Sequence, residues 1–316
     1  MACEGGRNVH DKLSAMLDNI SSASQPAADS SAPSVSQMIL TLSCPDRRGI
    51  VAAVASSIAA QDCNILESAQ FDDPESGHFF MRVRMAAGRN VTPETFEDGF
   101  SPVATAYHMT WQVADVERRQ RVLLMVSKGG HCLNDLLYRW NVGQLPMELV
   151  GVVSNHETWR RKVEGEGLPF HHIPVTPDTK DKAEAQLLSI VREERVELVV
   201  LARYMQVLSD SLSKELAGRV INIHHSALPS FKGARPYHQA YARGVKMIGA
   251  TAHYVTADLD EGPIIEQDVE RVDHTMTADD MAAAGRDVES RVLARAVKHH
   301  LEDRVFLSGN RTVVFK

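Results

Sequence analysis

The chain has 316 residues, 44% of them hydrophobic and 24% charged, with a formal charge of −7. That is the composition of a globular protein with room for two domains. The acidic balance argues against a nucleic-acid partner held by phosphate neutralisation, and no apolar run approaches the roughly 18 residues of a membrane span.

Taken in chain order, residues 1–36 read as a flexible leader, because Ser21 to Gln37 is dense in Ser, Ala and Pro and has no aromatic. Such a stretch buries too little apolar surface to offset the entropy of ordering. Nothing in it has the basic, apolar, small-residue order of a secretory signal, and Glu4, Asp11 and Asp18 sit badly in a transit peptide. Cys3, Cys44, Cys63 and Cys132 show no C-x-x-C spacing and read as free thiols of a reducing compartment. The expected location is the cytoplasm.

Residues 37–115 predict a βαββαβ unit, the ferredoxin-like split arrangement. An alternating strand at Met38 to Ser43 leads through a turn into an alanine-rich helix, Ile50 to Gln61. Strands at Asn64 to Asp72 and His78 to Met85 flank the turn Asp73-Pro74-Glu75-Ser76-Gly77; a helix within Pro93 to Tyr107 and a strand at Met109 to Val113 follow. The phrase Pro45-Asp46-Arg47-Arg48-Gly49-Ile50-Val51, with Asn64-Ile65 after the helix, resembles an ACT domain. The resemblance implies a small amino-acid effector, glycine or methionine, near Asp46, Gly49, Ile50 and Asn64, and a homo-oligomer. The plainer alternative is that Asp46 caps the helix, Gly49 relieves a turn and Asn64 ends the helix.

From residue 116 to 316 strands alternate with helices: Val122 to Ser127, Leu133 to Asn141, Met147 to Val153, a helix near Thr158, Lys180 to Arg195, Leu198 to Ala202, and Val220 to His224. This predicts a Rossmann-like, mostly parallel sheet covered on both faces, with ligands outside the carboxyl ends of its strands. A long helix within Ala278 to Glu302 should pack back over it. Asn222 and His224, two apart at a strand end, project together. Asn222 can hold an oxyanion, His224 can carry a proton, and Asp260, in Asp258-Leu259-Asp260-Glu261-Gly262-Pro263, can orient the imidazole or a water. Taken alone, Asn-x-His at a strand end is more often a turn or cap.

Asn222-Ile223-His224-His225-Ser226, Leu228-Pro229-Ser230-Phe231, Gly249 to Val255 and Asp260 to Gln267 closely resemble the folate-dependent formyltransferases. Pro236-Tyr237-His238-Gln239-Ala240 and the end Gly309 to Phe315 draw the resemblance towards the hydrolytic branch of that group, which uses water as acceptor. It runs from about Ser36 to Lys316, and it implies hydrolysis of formyltetrahydrofolate to formate and tetrahydrofolate, with Asn222, His224 and Asp260 catalytic. It also implies that the loop Arg203, Tyr204, Met205, Gln206, Val207 and Leu208 wraps the folate heterocycle, which would be substrate and leave no cofactor to add. A transferase to a small amine and a non-catalytic folate sensor stay open as alternatives.

In the loop Ser127 to Asn134, Lys128 and His131 replace the plain glycine turn of the phosphate-binding transferases and read as outlying support, as does His253. Consecutive His224 and His225 on a strand should point to opposite faces. The pairs His171-His172 and His299-His300 lack metal-ligand spacing, so no metal is expected. Ala227, where the branch has a bulkier apolar residue, and the charged Lys232 and Arg235 put the pocket's shape in question.

Overall fold

The computed structural model describes residues 36–226 and 236–316. The expected leader (save Ser36) and Ala227, Lys232 and Arg235 lie outside them. The first six elements are β1 (Gln37–Pro45), α1 (Ile50–Ala60), β2 (Asn64–Asp73), β3 (His78–Ala86), α2 (Pro93–Tyr107) and β4 (Thr110–Asp115). They form an antiparallel sheet in the order β2-β3-β1-β4, the expected βαββαβ arrangement. Leu40 and Leu42 of β1 meet Val54, Ile58, Phe96 and Phe100 of the helices in a core of their own.

Helix α1 begins at Gly49, whose φ of 93° lies in the region favouring glycine, and a Cβ there would stand 3.1 Å from the Tyr107 hydroxyl. Asp46 does not cap it: its backbone N–H donates to Gly77 O at 2.8 Å. Of the other residues named for an effector, Ile50 is core and Asn64 is exposed at the start of β2.

The second sheet begins with β5 (Gln120–Val126), α3 (His131–Asn141), β6 (Met147–Ser154), a 3₁₀ turn at Glu157–Trp159, α4 (Arg160–Gly165) and β7 (Phe170–His172). Then come α5 (Lys180–Glu193), β8 (Leu198–Leu201), α6 (Asp210–Glu215), β9 (Val220–His224), α7 (Pro236–Arg243), β10 (Met247–Tyr254) and β11 (Ile264–Arg271). The strand order is β11-β10-β9-β8-β5-β6-β7, parallel from β7 to β9 and antiparallel across β10 and β11. On β5, Val122, Leu124 and Val126 join the core beneath α3 and the last helix, whereas Leu123 and Met125 join the core beneath α5. Burial on both faces is why the strand reads as one unbroken apolar run.

Helix α8 (Ala278–Leu301) opens with a Thr277–Asp280 capping box and closes with Lys298 in its last turn, charges that suit the helix dipole at each end. Its apolar stripe of Met281, Gly285, Val288, Val292, Leu293, Ala296 and Val297 packs on the sheet. Just past its end, Arg82 of β3 donates from Nε and Nη2 to the Glu302 carbonyl at 3.1 and 3.0 Å, so the first sheet grips the end of this helix. Three short features were not anticipated: β7, α6, and the hairpin β12 (Val305–Ser308) with β13 (Arg311–Val314).

Candidate active site

Strand β9 ends at His224, at the carboxyl edge of the sheet. In the antiparallel pairing with β10, Asn222 lies opposite His253, and directly opposed side chains share a face. Their contact follows: Asn222 Nδ2 is 3.3 Å from His253 Nε2. His253 Nδ1 is 2.9 Å from its neighbour's carbonyl, Tyr254 O. A carbonyl only accepts, so Nδ1 carries a proton, which leaves Nε2 to accept from the Asn222 amide. His253 therefore fixes which way the Asn222 amide points. Expected as outlying support, it touches the Asn and lines the cavity itself.

His224 is buried, and its Nδ1 lies 3.1 Å from Asp260 Oδ2. The other ring nitrogen, Nε2, is buried with no hydrogen-bond partner among the described residues. The hydrogen bond from His224 holds the Asp260 carboxyl well below the usual carboxylate range. It is an ionised acceptor at neutral pH. Asp260 sits at φ 57°, a left-handed conformation that Asp tolerates better than most residues.

Gly262 explains how the carboxylate is brought in. A Cβ there would stand 1.7 Å from Tyr254 O and 3.3 Å from His253 Nδ1, and Tyr254 N donates to Pro263 O at 2.9 Å. Backbone lies directly against backbone, which only glycine permits.

These groups line a cavity of about 240 Å³ whose opposite wall is Arg203 to Leu208, with Val255 to Leu259 completing it. All six residues expected to bind folate are there. Met205 and Val207 are exposed apolar side chains, and burial pushes the Tyr204 phenol up to about 12, so it stays a donor at neutral pH. Ser127, at the end of β5, anchors the loop: its hydroxyl accepts from Met205 N at 2.9 Å and donates to Asn155 Oδ1 at 2.7 Å. Its place at a strand's carboxyl end was the signal for it.

One expectation fails. His224 and His225 do not face apart; their rings stack at 4.9 Å with planes 16° apart. The alternation of a strand stops at His224, and His225 already lies in the following bend. Lys128 and His131, expected as outlying support, stand outside the residues that line the cavity. Lys128 is exposed and its carbonyl accepts from the Trp159 indole at 3.2 Å, while His131 Nε2 turns to Glu289 Oε2 at 2.7 Å.

Glu289 was missed altogether. Only 1% exposed, it also accepts from Tyr237 Oη at 2.6 Å and forms an ion pair with Arg203, whose Nε is 3.2 Å away. Burial pushes this carboxyl up, but the His131 hydrogen bond, the Arg203 charge and the Tyr237 hydrogen bond together hold it below the usual range. His131, Cys132 and Glu289 are the one group among the described residues with potential metal-ligand atoms within 4.8 Å of one another. The Glu289 oxygen a cation would need is already hydrogen-bonded to His131 and ion-paired with Arg203, and burial pushes the Cys132 thiol up. The group reads as a hydrogen-bonded hub.

Comparison with known proteins places the chain in a family. The formyl transferase family profile matches residues 120–297. The formyltetrahydrofolate deformylase of Corynebacterium sp. (strain P-1) is 53% identical over 281 residues, 88% of this chain and 98% of the relative. The crystal structure of the Burkholderia mallei formyltetrahydrofolate deformylase superposes with a TM-score of 0.85 at 54% identity, covering 89% of this chain and all of that one. A glycinamide ribonucleotide transformylase from Symbiobacterium toebii gives 0.57 at 29% identity, covering 63% of this chain and 95% of its own. The deformylase matches run across both sheets, whereas the transformylase match covers less than two thirds of the chain. With Asn222, His224 and Asp260 converging beside the loop from Arg203 to Leu208, the chain belongs to the formyltetrahydrofolate deformylase family.

Proposed function

We propose that this chain hydrolyses formyltetrahydrofolate to formate and tetrahydrofolate, and that Asn222, His224 and Asp260 carry the reaction. The folate head lies along Arg203 to Leu208, an apolar wall with placed donors that suits a planar heterocycle. Its formyl carbonyl lies against Asn222. Water attacks the formyl carbon as His224 takes its proton, and Asn222 donates to the oxyanion as it forms. The intermediate collapses with cleavage of the carbon–nitrogen bond. The proton passes from His224 to the leaving folate nitrogen, and the formic acid released ionises to formate.

The observation that carries this reading is the division of labour within His224. One nitrogen is committed to an ionised carboxylate, and the other is unpartnered among the described residues. An imidazole so held is oriented, with Nδ1 committed to Asp260 and Nε2 left as the nitrogen that can take a proton. Asp260, held ionised by His224, is a weak base and acts by orienting.

The reading uses water as the acceptor and needs neither cofactor nor metal. A cytoplasmic homo-oligomer without a nucleic-acid partner, carrying a glycine or methionine effector at the first sheet, completes it. No helix of the described residues is long and apolar enough to cross a membrane. Formate measured from purified protein and formyltetrahydrofolate, with no amine acceptor, tests the reaction. Stoichiometric formate, abolished in His224→Ala, is expected. Folate binding without formate would refute it.

A further inference from the structure

Glu289 lies on the core-facing stripe of α8, where every neighbour on that stripe is apolar or glycine. A buried carboxylate persists only when its oxygens are fully met by donors, and here three separate segments meet them. His131 comes from the start of α3, Tyr237 from α7 and Arg203 from the turn after β8. The helix is shaped for this. One turn before Glu289, Gly285 leaves the space the Tyr237 ring fills, since a Cβ there would stand 2.1 Å from that ring.

Arg203 is the branch that reaches the reaction. At φ 66°, a conformation rare for a long side chain, its carbonyl accepts from Ser127 N at 3.1 Å and its backbone starts the folate loop. The guanidinium is directed to Glu289 through Nε and to His225 through Nη1, which lies 2.6 Å from His225 Nδ1. A guanidinium only donates, so this nitrogen of His225 must be the acceptor and any ring proton sits on Nε2. His225 in turn stacks on His224.

We infer that Glu289 is a positioning residue for the hydrolysis: through Arg203 it holds His225 as an Nε2–H imidazole stacked on His224, so that the ring which takes the proton has an uncharged neighbour. This rests on the role proposed for His224. Two stacked imidazolium rings would repel, and a proton on His225 would oppose the one His224 must accept. The charged or titratable groups facing His225 include Arg203, His224 and Tyr237, with Glu289 behind Arg203 and Asp260 behind His224. The guanidinium decides its tautomer.

The test is steady-state formate release across pH with the full chain, comparing wild type, Glu289→Gln, Arg203→Lys and the double variant Glu289→Gln/His225→Phe. Lysine keeps the charge at 203 but cannot reach Glu289 and His225 at once. Both single variants are expected to lose about tenfold or more in kcat at neutral pH, with the acid limb of the kcat profile moved towards neutrality. Phenylalanine at 225 keeps a stacked ring that cannot be protonated, so the double variant should return the limb to its wild-type position. Folded single variants with kcat within about twofold of wild type and an unmoved profile would overturn the inference. Should Glu289→Gln fail to fold, Arg203→Lys decides alone, because its buried carboxylate keeps His131 and Tyr237. Activity surviving in His224→Ala would instead strike the catalytic assignment, whatever the single variants do.

Discussion

Asp260 and Glu289 are two carboxylates of one molecule, each gripped by histidine and each held below its usual pKa range. Asp260 is part exposed at 15%, faces a cavity, and orients a histidine whose second nitrogen is unpartnered among the described residues. Glu289 is 1% exposed, and its donors include a permanently charged guanidinium. The contrast separates two uses of a buried charge. With a cavity and a half-engaged imidazole, it can direct a proton; enclosed by donors from three segments, it can only hold them in place.

The largest effect should come from the open centre. Asp260→Asn keeps the shape of the side chain, but its amide can donate to His224 Nδ1 and so favour the wrong tautomer. Carboxylate-to-amide changes behind a catalytic histidine cost about 10⁴-fold in kcat, and that is the expected loss in formate release here, with folate affinity retained. An equal loss on both sides of neutrality is expected. Folded Asp260→Asn protein with kcat within about tenfold of wild type would remove Asp260 from the chemistry.

A smaller effect tests whether geometry alone can break the open centre. Gly262→Ala removes no functional group, yet its methyl would stand 1.7 Å from Tyr254 O, the acceptor for His253 Nδ1. Displacing that carbonyl frees the ring that sets the Asn222 amide. A misplacement of about 1 Å can cost on the order of 10²-fold, so kcat should fall on that scale, with far less change in KM. Undiminished turnover in a folded Gly262→Ala protein would detach His253 from the chemistry. The roughly tenfold effect expected at Glu289 ranks below both, as suits a residue acting through two others.

What could be read from the residues follows the same division. Asn222, His224 and Asp260 were legible because strand alternation and the resemblance place them at one strand end. The apolar runs at Val122 and Leu198 announced a doubly covered sheet for a simple reason: no polar face was needed. His225 was misread because alternation was extended one residue beyond the end of β9. His253 was underrated because its partner across the sheet depends on β9 and β10 pairing antiparallel, a register no local pattern specifies. Glu289 looked like any acid of a solvated helix, although Met281, Gly285, Val288, Val292 and Leu293 place it on the apolar stripe. An acid at such a position is the signal, and it was there to be found. The hairpin β12–β13 is four residues a side, too short for periodicity to reveal.

A third carboxylate sharpens the comparison through stability. Asp303 follows α8 at φ 52°, and burial raises its pKa to about 6, outweighing the opposing charges of Arg82 and Arg118. With the native value above the unfolded one, the folded state keeps its proton while the unfolded chain loses it between about pH 4 and 6. Stability tied to this group is therefore present below about pH 4 and lost as pH rises to about 6. Asp303→Asn should remove that loss, since Asn tolerates the left-handed conformation and carries no charge. A shift of about two units converts to about 3 kcal/mol at most. The variant should thus melt several degrees higher at pH 8 and converge with wild type towards pH 4. His300, three residues earlier, works in the opposite direction: burial lowers its pKa to about 4, so both proteins lose stability as pH falls below about 6.5. Only the difference between the two melting curves isolates Asp303. A gap that stayed constant with pH would show that its carboxylate is paired as well as those of Asp260 and Glu289.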